Sequence, residues 1–240
     1  MDSIEIFNVR IDALTLDEAL DRATQAHGTP CTVVTPNALM LQACRREPSL
    51  GEMLGRATLS LPDGIGVLRA AKRKGTPLPT RVAGIDFGEA LLRRAATDGL
   101  RVFFLGGKDG VAARAAERMK ETYPSLTVCG TYYGYGPEHP EENERLLDVL
   151  SACRPDVLFV CLGFPLQEKW IFEHLPSLSH VRVIAGLGGS LDVWAGTVAR
   201  APHFVQALGC EWAWRILRQP KRLRGLPSLL GFAFCHKKKL

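Results

Sequence analysis

No apolar run in this chain of 240 residues approaches the roughly 18 residues needed to cross a bilayer, so no transmembrane helix is expected. The first residues, Met1-Asp2-Ser3-Ile4-Glu5, lack a basic stretch leading into an apolar one. No signal peptide is therefore expected, and the protein is expected in the cytoplasm. Seven cysteines are scattered without a C-x-x-C pair, which speaks against a zinc cage or a disulfide framework. They read instead as small buried hydrophobes, as Cys161 does within Val157-Leu158-Phe159-Val160-Cys161-Leu162. The six histidines never fall at ligand spacing, and no Asp-x-Asp occurs, so no metal is expected and no cofactor is assigned. Neither G-x-x-x-x-G-K-[ST] nor G-x-G-x-x-G is present, which excludes a P-loop ATPase and weakens a dinucleotide site. Repeats and low-complexity tracts are absent too.

What is present is an ordinary globular composition, 46% hydrophobic and 23% charged, with an uneven charge distribution. Residues 209–240 hold eight Lys/Arg against one acid, Glu211, or +7. With +5 overall, residues 1–208 carry −2. The chain therefore divides into a mildly acidic body, 1–208, and a basic appendage, 209–240. Such an asymmetry points the appendage at phosphates. Within it, Leu226, Leu229, Leu230, Phe232 and Phe234 lie between Lys221-Arg222 and Lys237-Lys238-Lys239, a pattern suited to an anionic lipid interface.

Along the body, short apolar strands alternate with amphipathic helices. Ile4 to Val9 alternates as one strand, and Thr15 with Glu18 forms a capping box for a helix closing near His27-Gly28. Strands are expected at Cys31–Val34, Thr58–Leu61, Arg101–Leu105, Leu126–Gly130, Asp156–Leu162 and His180–Ala185. Helices are expected after Thr35-Pro36-Asn37, over Ile65–Lys74, from an Asp86/Glu89 capping box to Thr97-Asp98-Gly99, over Val111–Thr122, from Pro140 to Cys153, and after Gly163-Phe164-Pro165. This order predicts an α/β doubly wound, mostly parallel, Rossmann-like sheet with helices on both faces. Ligands of such sheets bind at the carboxyl ends of the strands. Thr35, Asn37, Asp63, Gly106, Gly163, Gln167 and Gly188 fall on that rim.

The glycines of Gly106-Gly107-Lys108-Asp109-Gly110, between a strand and a helix, suit either a phosphate cradle or a tight turn. Asp63, between Pro62 and Gly64, suits either a helix N-cap or a general base. With no metal ligands in view, a diphosphate leaving group would be neutralised by arginines, which grip phosphate through two donors.

Thr35-Pro36-Asn37, Pro62-Asp63-Gly64, Arg81-Val82-Ala83-Gly84-Ile85-Asp86, Phe104-Leu105-Gly106-Gly107 and Leu162-Gly163-Phe164-Pro165-Leu166-Gln167-Glu168-Lys169-Trp170 occur in order. Gly188-Gly189-Ser190-Leu191-Asp192 with Ala195-Gly196, Arg200-Ala201-Pro202, and Glu211-Trp212 with Arg215 follow them. Together they resemble the bacterial WecG/TagA/CpsF glycosyltransferases, glycosyltransferase family 26, with Phe164 and Ile85 as small departures. The resemblance implies inverting, metal-independent transfer from a UDP-sugar to a saccharide on undecaprenyl diphosphate, in cell-surface polysaccharide synthesis. N-acetylmannosamine, its uronic acid and glucose are all candidate sugars. It also implies Asp63 as general base, Thr35 and Asn37 as an active-site polar pair, and Arg81 as a donor-phosphate contact. Gln167 then lines the sugar pocket, Asp192 accepts from uracil N3–H, and Gly106 and Gly107 lie on the substrate side. The basic appendage is implied to dock peripherally on the inner membrane face and bring Arg215, Arg222 and Arg224 over the site. No nucleic-acid partner is expected.

Two other classes fit parts of the pattern. A nucleotide-dependent oxidoreductase draws only on the α/β order and the glycine loop. A non-enzymatic nucleic-acid or membrane adaptor draws only on the basic appendage.

Overall fold

The computed structural model describes residues 3–25, 28–134 and 139–202, together with Val205, Glu211, Trp214, Gly231 and Phe232. The chain begins with β1 (Ser3–Ile6) and β2 (Val9–Asp12), an antiparallel pair. The single strand expected through Val9 is thus a hairpin, because Phe7 (φ 51°) and Asn8 (φ 62°) turn the chain between them. Two successive positive φ values make a type I′ turn, usually signalled by Asn-Gly or Asp-Gly, and Phe-Asn gives little warning of it. Asp12 pins the hairpin to the body: it is fully buried, accepts from the Ser60 N–H at 2.8 Å and pairs with Arg10 at 2.9 Å.

The described strands β3 (Cys31–Val34), β4 (Leu59–Ser60), β5 (Arg101–Gly106), β6 (Thr127–Tyr132), β7 (Val157–Cys161) and β8 (Val183–Gly186) form one six-stranded sheet in the order β4-β3-β8-β7-β5-β6. Every pairing in it is parallel, as the doubly wound reading required. Alternate residues of the strands serve two cores. Val33, Val102, Phe104, Phe159 and Ala185 meet α1 (Leu16–Gln25), α5 (Gly84–Asp98), α6 (Val111–Thr122) and α9 (Ser190–Trp194). On the opposite face Phe103, Leu105, Leu158, Val160 and Ile184 meet α7 (Pro140–Cys153) and α8 (Leu166–His174). A third cluster gathers the hairpin with α2 (Ala38–Arg46), α3 (Pro48–Gly55) and α4 (Ile65–Lys74). Each fully buried large side chain such as Phe103 or Phe104 contributes about 2–3 kcal/mol of burial. The helix after β5 lies on one face and the helix after β7 on the other. That places a topological switch point between these adjacent strands, where such sheets open a crevice at their carboxyl ends.

The Thr15/Glu18 capping box forms, with Glu18 accepting from the Thr15 N–H at 2.8 Å and Thr15 Oγ1 accepting from the Glu18 N–H at 3.3 Å. The Asp86/Glu89 box does not. Helix α5 begins at Gly84, its N-cap Ala83 makes no side-chain bond, and Asp86 is spent on arginines instead. The stretch after Asn37 is two helices rather than one, because Glu47 is extended before Pro48, as a residue preceding proline tends to be. Among the described residues, no helix is long and apolar enough to cross a membrane.

The proposed junction at 208/209 lies outside the described residues, as do Arg215, Arg222 and Arg224. Phe232, expected in a lipid interface, is instead 2% exposed and belongs to the third cluster. Its ring meets Phe7 edge-on at 6.2 Å, and its carbonyl accepts from Arg73 Nη2 at 3.3 Å.

Candidate active site

The segments after β3, β4 and β8 run side by side. Leu61 N–H donates to Val34 O at 2.9 Å, and the Asp63 N–H donates to Pro36 O at 3.1 Å, carrying the β3–β4 pairing beyond the strands. Val82 N–H donates to Pro62 O at 3.0 Å and brings Arg81 alongside. A Cβ at Gly84 would lie 3.0 Å from Thr35 Oγ1, so the first turn of α5 packs on the β3 loop. Thr35 is buried, and its hydroxyl donates to Gly186 O at 3.5 Å. These contacts gather Thr35, Asn37, Asp63 and Arg81 at one end of the sheet.

Their roles differ. Asn37 caps α2, its Oδ1 accepting from the Leu39 and Met40 N–H groups at 3.0 and 3.2 Å. Asp63 is half-buried and is not the N-cap of α4: Gly64, at φ +100°, holds that position, with no side-chain capping bond. Arg81 lies among carboxylates. Its Nη1 bonds Glu211 Oε2, its Nη2 is 3.7 Å from Asp86, and Asp86 is also bonded by Arg200. Glu89 is 3.8 Å from Arg200 and extends the network. Glu211 and Arg200 were visible in the sequence only as parts of motifs. No local signal could pair residues 130 and 114 positions apart with their partners.

Towards the switch point the floor is made by Gln167. It is 3% exposed, and its Oε1 accepts from the Gly188 N–H at 2.9 Å and the Gly163 N–H at 3.2 Å. Its Nε2 donates to Glu168 Oε1 at 2.8 Å. Most of its hydrogen-bonding capacity is thus directed at loops and at its neighbour. Glu168 is fully buried, and desolvation pushes its carboxyl up to about 7. In the sequence Glu168 is one residue of the Leu162–Trp170 motif and carries no local signal of its own role. The same motif's Trp170 is structural: its Nε1 donates to Asn143 Oδ1 at 2.7 Å, and its ring stacks on His174 at 5.0 Å.

The glycines sort by what surrounds them. A Cβ at Gly106 (φ +136°) would lie 2.4 Å from Cys161 O, and one at Gly107 (φ +71°) would lie 2.7 Å from Val111 Cγ1. Close approach of β5 to β7 and α6 therefore accounts for both. Gly64, Gly163 and Gly188 also have positive φ, but among the described residues a Cβ there would meet nothing within 4 Å. Asp192, in the first turn of α9, accepts from Thr197 Oγ1 at 3.3 Å through Oδ1.

A half-buried carboxylate, a buried hydroxyl, a partly exposed arginine and glycines clear of the described residues thus share the carboxyl ends of a parallel α/β sheet, where ligands of doubly wound folds bind. Comparison with known proteins makes the class specific. Residues 4–239 match the Glycosyl transferase WecG/TagA/CpsF family, and the chain belongs to it. The protein is a glycosyltransferase. It is 38% identical over 197 residues, 82% of this chain and 75% of the relative, to an N-acetylglucosaminyldiphosphoundecaprenol N-acetyl-beta-D-mannosaminyltransferase of Bacillus spizizenii strain W23. A Staphylococcus aureus (strain MRSA252) protein of the same name is 29% identical over 235 residues, 96% of this chain and 91% of the relative. The oxidoreductase and adaptor readings give way to this family.

Proposed function

We propose that the enzyme transfers N-acetylmannosamine, or a sugar close to it, from a UDP-sugar to a saccharide carried on undecaprenyl diphosphate, in cell-surface polysaccharide synthesis. The relatives' names supply the acceptor class and the sugar, and the inverting course is what the family resemblance implies. In this reading Asp63 accepts the proton of the attacking hydroxyl. The hydroxyl oxygen bonds to the sugar's C1 as the C1–O bond to the diphosphate breaks, and UDP departs with the electron pair. A correctly placed base contributes roughly 10²–10⁴-fold to such a step. Thr35 and Asn37 line the base's loop, Gly163 and Gly188 leave room for the donor, and Asp192 faces the nucleobase.

Arginines take the place of a metal in neutralising the leaving group. Arg81 stands beside the Asp63 loop, and Arg215, Arg222 and Arg224 follow in the basic appendage, which contacts the anionic inner-membrane surface where the acceptor resides. Residues 212–230 lie in sequence between two residues seated near Asp63, Glu211 on Arg81 and Phe232 against Gly66, three positions beyond the base.

The observation that carries the proposal is Asp63 on the strand-end rim, outside the cap position, with Arg81 alongside. Asp63→Asn keeps the side chain's shape and removes its basicity. Transfer to a lipid-diphosphate acceptor should fall at least about 100-fold with UDP binding retained. Undiminished turnover would remove Asp63 from the mechanism. The same assay should proceed in EDTA, and a loss restored by Mn²⁺ would refute metal independence.

A further inference from the structure

We infer that Glu168 is a positioning residue for the donor site: by holding the Gln167 amide from below, it sets the spacing of the Gly163 and Gly188 loops. The inference rests on the proposed reading of this rim as the nucleotide-sugar site.

Glutamine is nearly symmetric in shape, and rotating its amide by half a turn exchanges acceptor for donor. Here one oxygen serves two loops, taking the Gly163 N–H at 3.2 Å and the Gly188 N–H at 2.9 Å. The amide nitrogen must then face away from both N–H groups, into a dry interior. Its neighbour on that side is Gly186, where a Cβ would come within 3.0 Å of Nε2. Glu168 Oε1, at 2.8 Å, accepts from that nitrogen. Without it, a buried amide N–H₂ loses its acceptor, and the side chain gains by swinging towards water and releasing both loops.

Among the described residues, the Gln167 amide is the side-chain partner of this acid. The other inward residues of α8, Trp170, Ile171 and Phe172, are apolar. Glu168 is completely buried, and among the described residues its Oε2 has no hydrogen-bond partner. An apolar residue of similar volume at such a site is often neutral or stabilising. The acid is costly to the fold, and what it secures is the amide. Gly163 and Gly188 lie two residues past β7 and β8, turn their N–H groups inward to Gln167, and at Cβ are clear of the described residues. A small change in their separation therefore alters the donor platform directly.

The test uses the full-length protein, with UDP affinity by calorimetry, donor KM and kcat in the transfer assay, melting temperature, and exchange of the Gly163 and Gly188 amide protons by NMR. Glu168→Leu should weaken UDP binding and raise donor KM about 10-fold, and speed exchange of the two glycine amides similarly, with little change in melting temperature. Glu168→Gln keeps an acceptor oxygen and should stay within about threefold of the parent. Gln167→Glu sets two carboxyls against each other and should bind UDP poorly. Adding Glu168→Gln to it should restore binding, because the carboxylate at position 167 would take both N–H groups and the new amide would donate to it.

Unchanged amide exchange and UDP affinity in Glu168→Leu would overturn the inference. So would a paired variant as poor as Gln167→Glu alone. A parent protein that does not bind UDP would refute the nucleotide-sugar reading instead, while the exchange rates would still decide whether Glu168 holds the loops.

Discussion

Replacing Phe232 with alanine should loosen the hold of the body on the C-terminal segment. The ring is 2% exposed, lies edge-on to Phe7, and fits a notch where a Cβ on Gly66 would be 3.6 Å from it. Truncating a buried phenylalanine to alanine costs about 3–5 kcal/mol. Two further described links between segment and body, the Arg73 bond to the Phe232 carbonyl and the Arg81–Glu211 pair, do not involve the ring. A loss of about 3 kcal/mol raises the constant for opening by roughly 100-fold. Hydrogen exchange of the residue-232 amide reads this directly, because it tracks the open population when opening is fast. Exchange should accelerate by about that factor and transfer should fall, while Phe232→Leu, which keeps most of the apolar volume, should fall between the parent and the alanine variant. Exchange and turnover both unchanged in Phe232→Ala would show that this position does not depend on its ring.

Two further outcomes follow from the geometry. Gly106→Ala places a methyl group 2.4 Å from Cys161 O at a φ of +136°, so β5 and β7 must separate at the switch point. A stability loss of at least about 2 kcal/mol should appear in urea denaturation together with weaker UDP binding, and a variant matching the parent would refute the packing account of this glycine. Glu168 should also leave a signature in the pH dependence of stability. Its carboxyl is raised from 4.5 to about 7, so the folded protein binds more protons than the unfolded chain between these values. Its contribution is therefore fully present below about 4.5 and is lost as pH rises towards about 7, amounting to about 3 kcal/mol. The stability difference between the parent and Glu168→Gln, followed by denaturation from pH 4.5 to 8, should move against the parent over that range, and a flat difference would exclude the shift.

Local chemistry made most of the elements legible in the sequence. Short apolar runs rich in β-branched and aromatic residues, such as Val157–Cys161, read as strands covered on both faces, and the Thr15/Glu18 box marked the start of α1 through bonds three residues apart. The parallel sheet follows, since strands alternating with helices require crossovers. The ordered motifs likewise pointed to the family and to the strand-end rim. Tertiary structure decided how the residues at that rim are used. Asp86 and Glu89 have the spacing of a cap, but α5 starts at Gly84 without a side-chain cap, and Asp86 is bonded by Arg200 with Arg81 3.7 Å away. Gly106 and Gly107 look like a phosphate loop, yet Cys161 and Val111 occupy the space where their side chains would be, while a Cβ at Gly163 or Gly188 would be clear of the described residues. Phe232 has the neighbours of a membrane anchor and the burial of a core residue, because a notch 166 positions earlier in the chain accepts it. Spacing along a chain reports periodicity and local hydrogen bonding. Which distant group satisfies a charge or covers a ring depends on how the crossovers bring remote segments together, and that is settled only when the sheet has formed.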